Sequence, residues 1–358
     1  MTTIREIPVL FLGLGNVGRA LLRQLLDSRV VQVRRLGMLF VPVALADAGG
    51  LLDDPAGLSE PLLHQALQVT AEGRLLDVLP GARPLSAVAA ALRPGAVMAD
   101  LTASTETKPL LRQALEVGCG VALANKHPMA APWAEAEPFY EHPLLRYEVT
   151  VGAGLPVIAG LRSLLDTGDH PIVIEGCLSG TLGYLCAQLE QGVPYSVAVA
   201  QARSLGYTEP DPREDLSGRD VARKALILAR TAGWPLEMAS LTVEALYSDA
   251  LAALPTEEFL AAAATLDEEY AQRVRQAQAG GQTLRYVARV GPEGGQVGLL
   301  AVPKDGPLGA LRGPANYISL RTTRYDETPL VFAGPGAGPE VTAAGVFADI
   351  IGLAMRLG

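Results

Sequence analysis

The sequence predicts an α/β protein: a doubly wound parallel sheet, followed by an α+β domain with a mixed sheet. Three observations predict it. Short apolar runs alternate with helix-patterned segments over the first 135 residues or so. A glycine-rich turn, GLGNVG at 13–18, joins the first apolar run to the first helical one. Beyond that region the pattern changes, and Pro138 and Pro143 mark the boundary. The chain has 358 residues, 49% of them apolar, which is long for one core and suggests two domains.

Taken in order, Ile7–Leu14 is long enough for a buried strand. Arg19–Asp27 carries apolar residues at helical spacing, and Phe40–Ala46 reads as a second strand that ends in Asp47. Leu58–Gln68, Leu85–Leu92 and Pro109–Val117 read as helices, and Val97–Leu101 and Gly120–Ala124 as strands. In the second part, strands are expected at Arg146–Thr150, Ile172–Leu178, Leu284–Val290 and Gln296–Val302. Helices are expected at Leu155–Leu165, Leu182–Glu190, Tyr195–Leu205, Asp220–Thr231 and Val341–Leu357. The last follows a second glycine-rich turn.

The formal charge of −9 argues against nucleic acid and anionic membrane surfaces as partners, since both need basic patches. No apolar run reaches the length of a membrane span. The N-terminus lacks a secretory layout, because its apolar strand runs straight into the glycine turn. Cys119, Cys177 and Cys186 are odd in number and have no metal spacing, so they read as reduced thiols of a cytoplasmic protein. The four histidines are too scattered to suggest a metal site.

Gly13, Gly15 and Gly18 form G-x-G-x-x-G between a predicted strand and helix, the Rossmann-type context for a dinucleotide. The first glycine permits the turn, the second lets the backbone approach a pyrophosphate, and the third packs helix on strand. Asn16 and Val17 open the helix whose N-terminus meets the negative charge. A turn that is merely structural would need the same glycines. Asp47 is placed to accept from a ribose 2′-hydroxyl and to repel a 2′-phosphate, which favours NAD over NADP. Its distance from Gly18 exceeds the usual spacing, so a misplaced strand is an alternative. Arg34 and Arg35 are candidate phosphate contacts or plain surface.

Gly206–Ala225, GYTEPDPREDLSGRDVARKA, concentrates charge in a charge-poor chain. Pro210 and Pro212 hold its first part extended, and a helix starts near Ser217. Asp220 and Lys224 then share a helical face at i and i+4. An acid beside an amine suits a small zwitterionic substrate; a solvated charge run would look similar. Lysine is scarce, so Lys126, just after a strand, and Lys224 stand out as candidate acid–base groups, although an ordinary exposed side chain is the commoner fate of a lysine.

That stretch resembles the long motif of homoserine dehydrogenases. The resemblance continues through GLGNVG at 13–18, DLTAS at 100–104, ANK at 124–126, EVTVGAGLPV at 148–157, LSGTLGY at 178–184 and GPGAGPEVTAAGVFADI at 334–350. It implies NAD(P)-dependent interconversion of homoserine and aspartate 4-semialdehyde, on the route to threonine and methionine. It implies that Lys224 or Lys126 carries the proton, that Glu209 and Asp220 hold the substrate and that Asp215 supports them. Gly180 and Thr181 would line the substrate pocket. Thr102, Ser104, Lys126 and Gly338 would lie against the cofactor. Glu148, Val151, Ala153 and Leu155 would hold a monovalent cation, sodium, largely through carbonyls; the turn at Gly152, Gly154 and Pro156 also fits a plain hinge.

The resemblance further implies a homodimer built through the second domain. Residues 1–135, completed by about 316–358, would bind the dinucleotide, and 136–315 would carry catalysis and dimerisation. No aspartokinase is expected ahead of the first strand and no regulatory ACT domain after the last helix. A different Rossmann oxidoreductase acting on a semialdehyde would share GLGNVG without Glu209, Asp220 and Lys224. A catalytically silent dinucleotide-binding protein would lose one of the two lysines.

Overall fold

The first apolar run forms β1 (Arg5–Leu12), in which every residue from Val9 to Leu12 is buried. Burial on both faces is what a central parallel strand requires. The computed structural model describes residues 4–357 and divides into two units, 1–154 with 337–358, and 155–336.

In the first unit β1 is followed by α1 (Asn16–Asp27), α2 (Arg29–Leu36), β2 (Met38–Ala46), β3 (Leu51–Asp53), α3 (Glu60–Ala71) and β4 (Val97–Asp100). Then come α4 (Lys108–Glu116), β5 (Gly120–Leu123), α5 (Trp133–Glu141) and β6 (Leu145–Arg146). The sheet order is β3-β2-β1-β4-β5-β6. All pairs are parallel except β2 with β3. The last helix, α14 (Pro339–Arg356), returns to this unit and packs on α1 and β5. Its Phe347 meets Phe40 edge to face at 5.4 Å, and its buried Asp349 accepts the Glu148 amide at 2.8 Å.

The second unit contains α6 (Val157–Asp166), β7 (Pro171–Cys177), α7 (Gly180–Glu190), α8 (Tyr195–Ser204), α9 (Arg213–Leu216), α10 (Arg219–Thr231) and β8 (Leu241–Val243). It continues with α11 (Asp249–Ala252), α12 (Thr256–Ala262), α13 (Asp267–Ala279), β9 (Gln282–Gly291), β10 (Gly294–Pro303), β11 (Ala315–Thr322) and β12 (Leu330–Pro335). Its sheet is mixed, in the order β12-β11-β7-β9-β10-β8, with β8 parallel to β10 and the other pairs antiparallel.

Several expectations need correcting. The units divide at 154/155 and 336/337 rather than near 135 and 315. The prolines read as a boundary lie inside α5 and just after it, and β6 still belongs to the first sheet. The strand expected over 146–150 is the short β6 followed by a 3₁₀ turn at Glu148–Thr150. Leu85–Ala91 is 3₁₀ rather than α. The helix expected from Ser217 begins at Arg219, after Gly218 in a left-handed conformation with φ 69°. The segment expected to be extended turns helical at Pro212, whose φ and ψ are −60° and −20°.

Asp169 closes the second sheet at the start of β7. It accepts from the His170 amide (2.9 Å), the hydroxyls of Thr322 and Thr323 (2.7 Å each) and the Arg324 amide (3.1 Å). Burial alone would raise its pKa, but these bonds to the charged form outweigh burial and bring it to about 2. A depressed folded-state pKa gives stability that is present above the unfolded value and is lost as pH falls towards the folded one. Urea titrations of wild type and Asp169→Asn should therefore show a stability gap that is constant above about pH 5. The gap should close as pH falls from 3.8 towards about 2. A gap independent of pH across that window would exclude the carboxylate as its cause.

Candidate active site

The first unit gathers its candidate residues at one sheet edge. Gly13, Thr102 and Lys126 all follow the C-terminal ends of adjacent parallel strands, where open α/β sheets bind ligands. Gly13 has φ 103°, and a Cβ there would lie 3.1 Å from the Leu101 carbonyl. A Cβ on Gly18 would fall 2.3 Å from the Gly13 carbonyl oxygen, so helix and turn touch backbone to backbone. Gly15 instead faces open space, with nothing within 4 Å of a built Cβ. It precedes α1, whose N-terminus has no side-chain cap. An uncapped helix N-terminus behind a clear glycine fits a pyrophosphate. Asn16 accepts from Arg19 at 2.6 Å through its side chain, and Val17 lies in the same first turn.

Asp47 directly follows β2, and the neighbouring Gly13 amide donates to the Ala46 carbonyl at 2.8 Å. The long spacing that made its strand doubtful comes from α2, a second helix inserted before β2. Its carboxylate accepts from the amides of Gly49 (2.8 Å), Gly50 (3.2 Å) and Leu76 (3.0 Å). It therefore caps the turn that leads into β3. Arg34 and Arg35 close α2 before β2 begins, at the other end of the strand from Gly13. That removes them as phosphate contacts.

Two residues not singled out in the sequence organise the loop after β4. Buried Asp100 accepts from the Thr102 amide (3.0 Å) and hydroxyl (2.7 Å). Burial pushes its carboxyl up, against the pull of these bonds. Asn125 donates to the Ser104 carbonyl at 2.7 Å, reaches the Thr102 hydroxyl at 3.3 Å, and accepts the His127 amide at 3.0 Å. Thr102, Ser104 and the His127 amide are thus held on one network, with half-buried Lys126 lying between Asn125 and His127 in sequence. The only signal for it was their presence in DLTAS and ANK.

The second unit assembles the charged stretch. Lys224 Nζ lies 2.9 Å from Asp220 Oδ2 and donates to the Leu178 carbonyl at 2.7 Å, with the lysine side chain 12% exposed. The partly buried Asp215 accepts from the Glu209 amide (2.9 Å), and the Thr181 hydroxyl lies 3.1 Å from its other oxygen and 2.5 Å from the Tyr207 carbonyl. Burial raises the Asp215 pKa. Glu209 itself is exposed. Gly180 opens α7, where a Cβ would crowd Pro314 at 3.2 Å. The cap of that helix is Ser179, accepting from the Leu182 amide at 3.2 Å. Asp211 and Arg213 pair at 2.6 Å, and Arg213 also donates to the Ala252 carbonyl, so much of the charge run is engaged rather than solvated.

Around the turn after β6, Glu148, Val151 and Ala153 are buried. Ala153 has φ 53°, the one positive value at a non-glycine residue among those described. Leu155 begins the second unit. No cluster of three or more His, Cys, Asp or Glu side chains suited to a metal occurs among the described residues. Gly338, with φ 127°, precedes α14. The cysteines are buried, with Cys177 pushed up to about 12 and Cys186 to about 11 by burial, as inert thiols are. No helix among the described residues is long and apolar enough to cross a membrane.

With that geometry in view, the comparisons are specific. The family model described as homoserine dehydrogenase matches residues 156–351. A chloroplastic bifunctional aspartokinase/homoserine dehydrogenase 1 of Zea mays is 38% identical over 362 residues, covering 98% of this chain and 39% of that protein. The chain thus spans less than half the length of such bifunctional relatives. A homoserine dehydrogenase of Emericella nidulans is 35% identical over 367 residues, covering 97% of this chain and 98% of that one. Among solved structures, a putative homoserine dehydrogenase from Archaeoglobus fulgidus is 27% identical with a TM-score of 0.77, covering 97% and 98% of the two chains.

The turn after β2 can be tested without any ligand. Replacing Asp47 with Ala leaves three backbone amides without their acceptor. Unsatisfied donors cost about 1–3 kcal/mol when buried, so the variant should lose stability of that order in urea with no dinucleotide present. An unchanged midpoint would mean that water replaces the carboxylate freely.

Proposed function

The chain belongs to the homoserine dehydrogenase family, and from that premise we propose that it interconverts L-homoserine and L-aspartate 4-semialdehyde with NAD(P). The observation that carries the reading is Lys224, held between Asp220 and the Leu178 carbonyl in the unit that also holds Glu209, Asp215 and Thr181. A bound nicotinamide dinucleotide supplies the hydride acceptor or donor.

The residues that would hold the dinucleotide are Gly13, Gly15, Asn16, Val17 and Gly18, with Asp47 towards the ribose and Thr102, Ser104, Lys126 and Gly338 nearer the nicotinamide. Lys224 Nζ takes the hydroxyl proton in oxidation and returns it in reduction. Glu209 and Asp220 hold the substrate, Glu209 through the α-ammonium. Asp215 fixes the Glu209 backbone and Thr181, so that the anchoring carboxylate approaches from one direction. Lys126 is the second candidate for the proton. On the same resemblance, sodium at Glu148, Val151, Ala153 and Leu155, a homodimer and a cytoplasmic setting are proposed.

Removal of a positioned general acid–base costs about 10²–10⁴-fold in rate. Lys224→Ala should lower kcat for homoserine oxidation by that order, with dinucleotide affinity nearly unchanged. Glu209→Ala should chiefly raise KM for homoserine. Steady-state absorbance of reduced nicotinamide checks both; a Lys224→Ala enzyme at wild-type speed would move the proton to Lys126.

We further propose NAD as the preferred cofactor, because the Asp47 carboxylate would face a 2′-phosphate with like charge. Asp47→Ser should raise kcat/KM for NADP relative to NAD. The ratio within one variant cancels any loss of folded protein from the turn. A wild type that strongly prefers NADP would refute this role for Asp47.

A further inference from the structure

Arg213 opens α9, a helix of only four residues. A single helical turn is unstable by itself, because nucleation is unfavourable. Contacts from elsewhere in the chain must therefore hold it, and the Arg213 guanidinium supplies them. Arginine carries five N–H donors in a planar fork, and in Arg213 each of them has an acceptor. Nε and Nη2 donate to the two oxygens of Asp211, at 2.9 Å and 2.6 Å. Nη2 also reaches the Thr256 hydroxyl at 3.2 Å. Nη1 donates to the carbonyls of Ala252 and Leu254. Cζ lies over the ring of the buried Phe259, 5.4 Å from its centroid.

These acceptors come from two places. Asp211 belongs to the charged stretch itself, whereas Ala252 ends α11 and Thr256 begins α12. Arg213 thus ties the start of α9 to the connection between α11 and α12. The tie bears on Glu209. Asp215, two residues beyond Arg213, accepts from the Glu209 amide at 2.9 Å. The loop that carries Glu209 is otherwise largely exposed from Leu205 to Pro210, so the place of its carboxylate depends on where α9 sits. The far end of the stretch is fixed separately. The Leu246 amide donates to the Leu216 carbonyl at 2.9 Å. Gly218 lies against Tyr286, whose hydroxyl donates to the Glu244 carbonyl at 2.6 Å. A Cβ on Gly218 would fall 1.8 Å from that hydroxyl oxygen. The helix α10, with Asp220 and Lys224, therefore has anchors of its own.

We propose that Arg213 is a positioning residue for substrate binding. By clamping the start of α9 to the α11–α12 connection, it sets where Asp215 holds the Glu209 backbone, and so where the Glu209 carboxylate meets a substrate ammonium. Lysine cannot replace it, since an ammonium has three donors and no planar fork to span a carboxylate, a hydroxyl and two carbonyls. Because α10 is anchored independently, loss of the clamp falls on KM for the amino-acid substrate and not on kcat. The inference rests on the activity proposed above, which the wild-type assay tests separately. A wild type inactive on homoserine overturns both, whereas an active wild type leaves Arg213 to be judged alone.

The experiment is a double-mutant cycle of wild type, Arg213→Lys, Glu209→Ala and the double variant. It reads steady-state kinetics on homoserine and a separate dinucleotide Kd, on protein shown to be folded by circular dichroism. Arg213→Lys should raise KM for homoserine about 10- to 100-fold, the scale of a misplacement near 1 Å. Its kcat and dinucleotide Kd should stay near wild type. In the Glu209→Ala background the same change should alter KM by less than about twofold, because the group it positions is gone. Thr256→Val removes one partner from outside the charged stretch and should raise KM about fivefold, as for one hydrogen bond. It takes the place of Arg213→Lys in the cycle if that variant does not fold. Equal changes in KM with and without Glu209 would overturn the proposal and leave Arg213 a packing residue. So would an unchanged KM in the folded variant. A fall in kcat at unchanged KM would overturn it in favour of a clamp acting on Lys224.

Discussion

Carboxylates that accept from a following or distant loop hold the candidate functional parts of this protein in place. Asp47 takes three backbone amides after β2. Asp100 takes the Thr102 amide and hydroxyl after β4, and Asp215 takes the Glu209 amide and faces Thr181. An ionised carboxylate suits the task because it only accepts, has about four lone-pair directions, and forms shorter bonds than a neutral acceptor. At Asp100, Asp215 and Asp169 burial opposes the charge. It wins at Asp100 and Asp215, whose pKa values are raised, and loses at Asp169, where four protein donors converge. The loops held by Asp100 and Asp215 are thus anchored by groups whose charged form is disfavoured by burial.

What was legible in the sequence was local. The strand–glycine–helix start, β2, β4, β5 and the alternation that gives the parallel sheet come from short-range periodicity and turn chemistry, and they fall where expected within a few residues. The face shared by Asp220 and Lys224 is equally local, a consequence of i,i+4 spacing. Errors arose where a local rule was overridden. Ser217 does accept from the Arg219 amide in the first turn, at 3.3 Å, but Gly218 turns left-handed between them, so the helix begins at Arg219 rather than at Ser217. Prolines at 138 and 143 suggested a boundary, yet β6 adds to the first sheet beyond them.

The residues missed altogether depend on partners distant in sequence. Asn125 matters because the loop after β4 lies beside it, and beyond its place in ANK nothing at its own position announces that. Arg213 looks like one charge among many in Gly206–Ala225 until the carbonyls of Ala252 and Leu254 are found against it. The strand β11 was readable, since its Asn, Ile, Leu and Thr alternate with more exposed residues, but this pattern was not among the expected strands. Asp47 shows the converse. Its position after β2 was legible, whereas its engagement by Leu76, twenty-nine positions on, was not. One carboxylate thus serves as turn cap and as candidate cofactor selector, so changing cofactor preference at that position also disturbs the fold.

The surroundings of Lys224 show how a proton could be exchanged there without rearrangement. Nζ has two acceptors fixed around it, the Asp220 carboxylate and the Leu178 carbonyl. Both accept from the ammonium, the carboxylate more strongly because that bond is charge-assisted, and both still have an N–H to accept in the neutral amine, which keeps two. With those two directions occupied, tetrahedral nitrogen has limited freedom in where its remaining substituent points. In the ammonium that substituent is a proton to give, and in the amine it is a lone pair to receive one. The same fixed geometry therefore serves both directions of the proposed reaction. It also explains why a backbone carbonyl is a useful second partner. It has no proton to contribute, so it orients the amine without competing for the transfer.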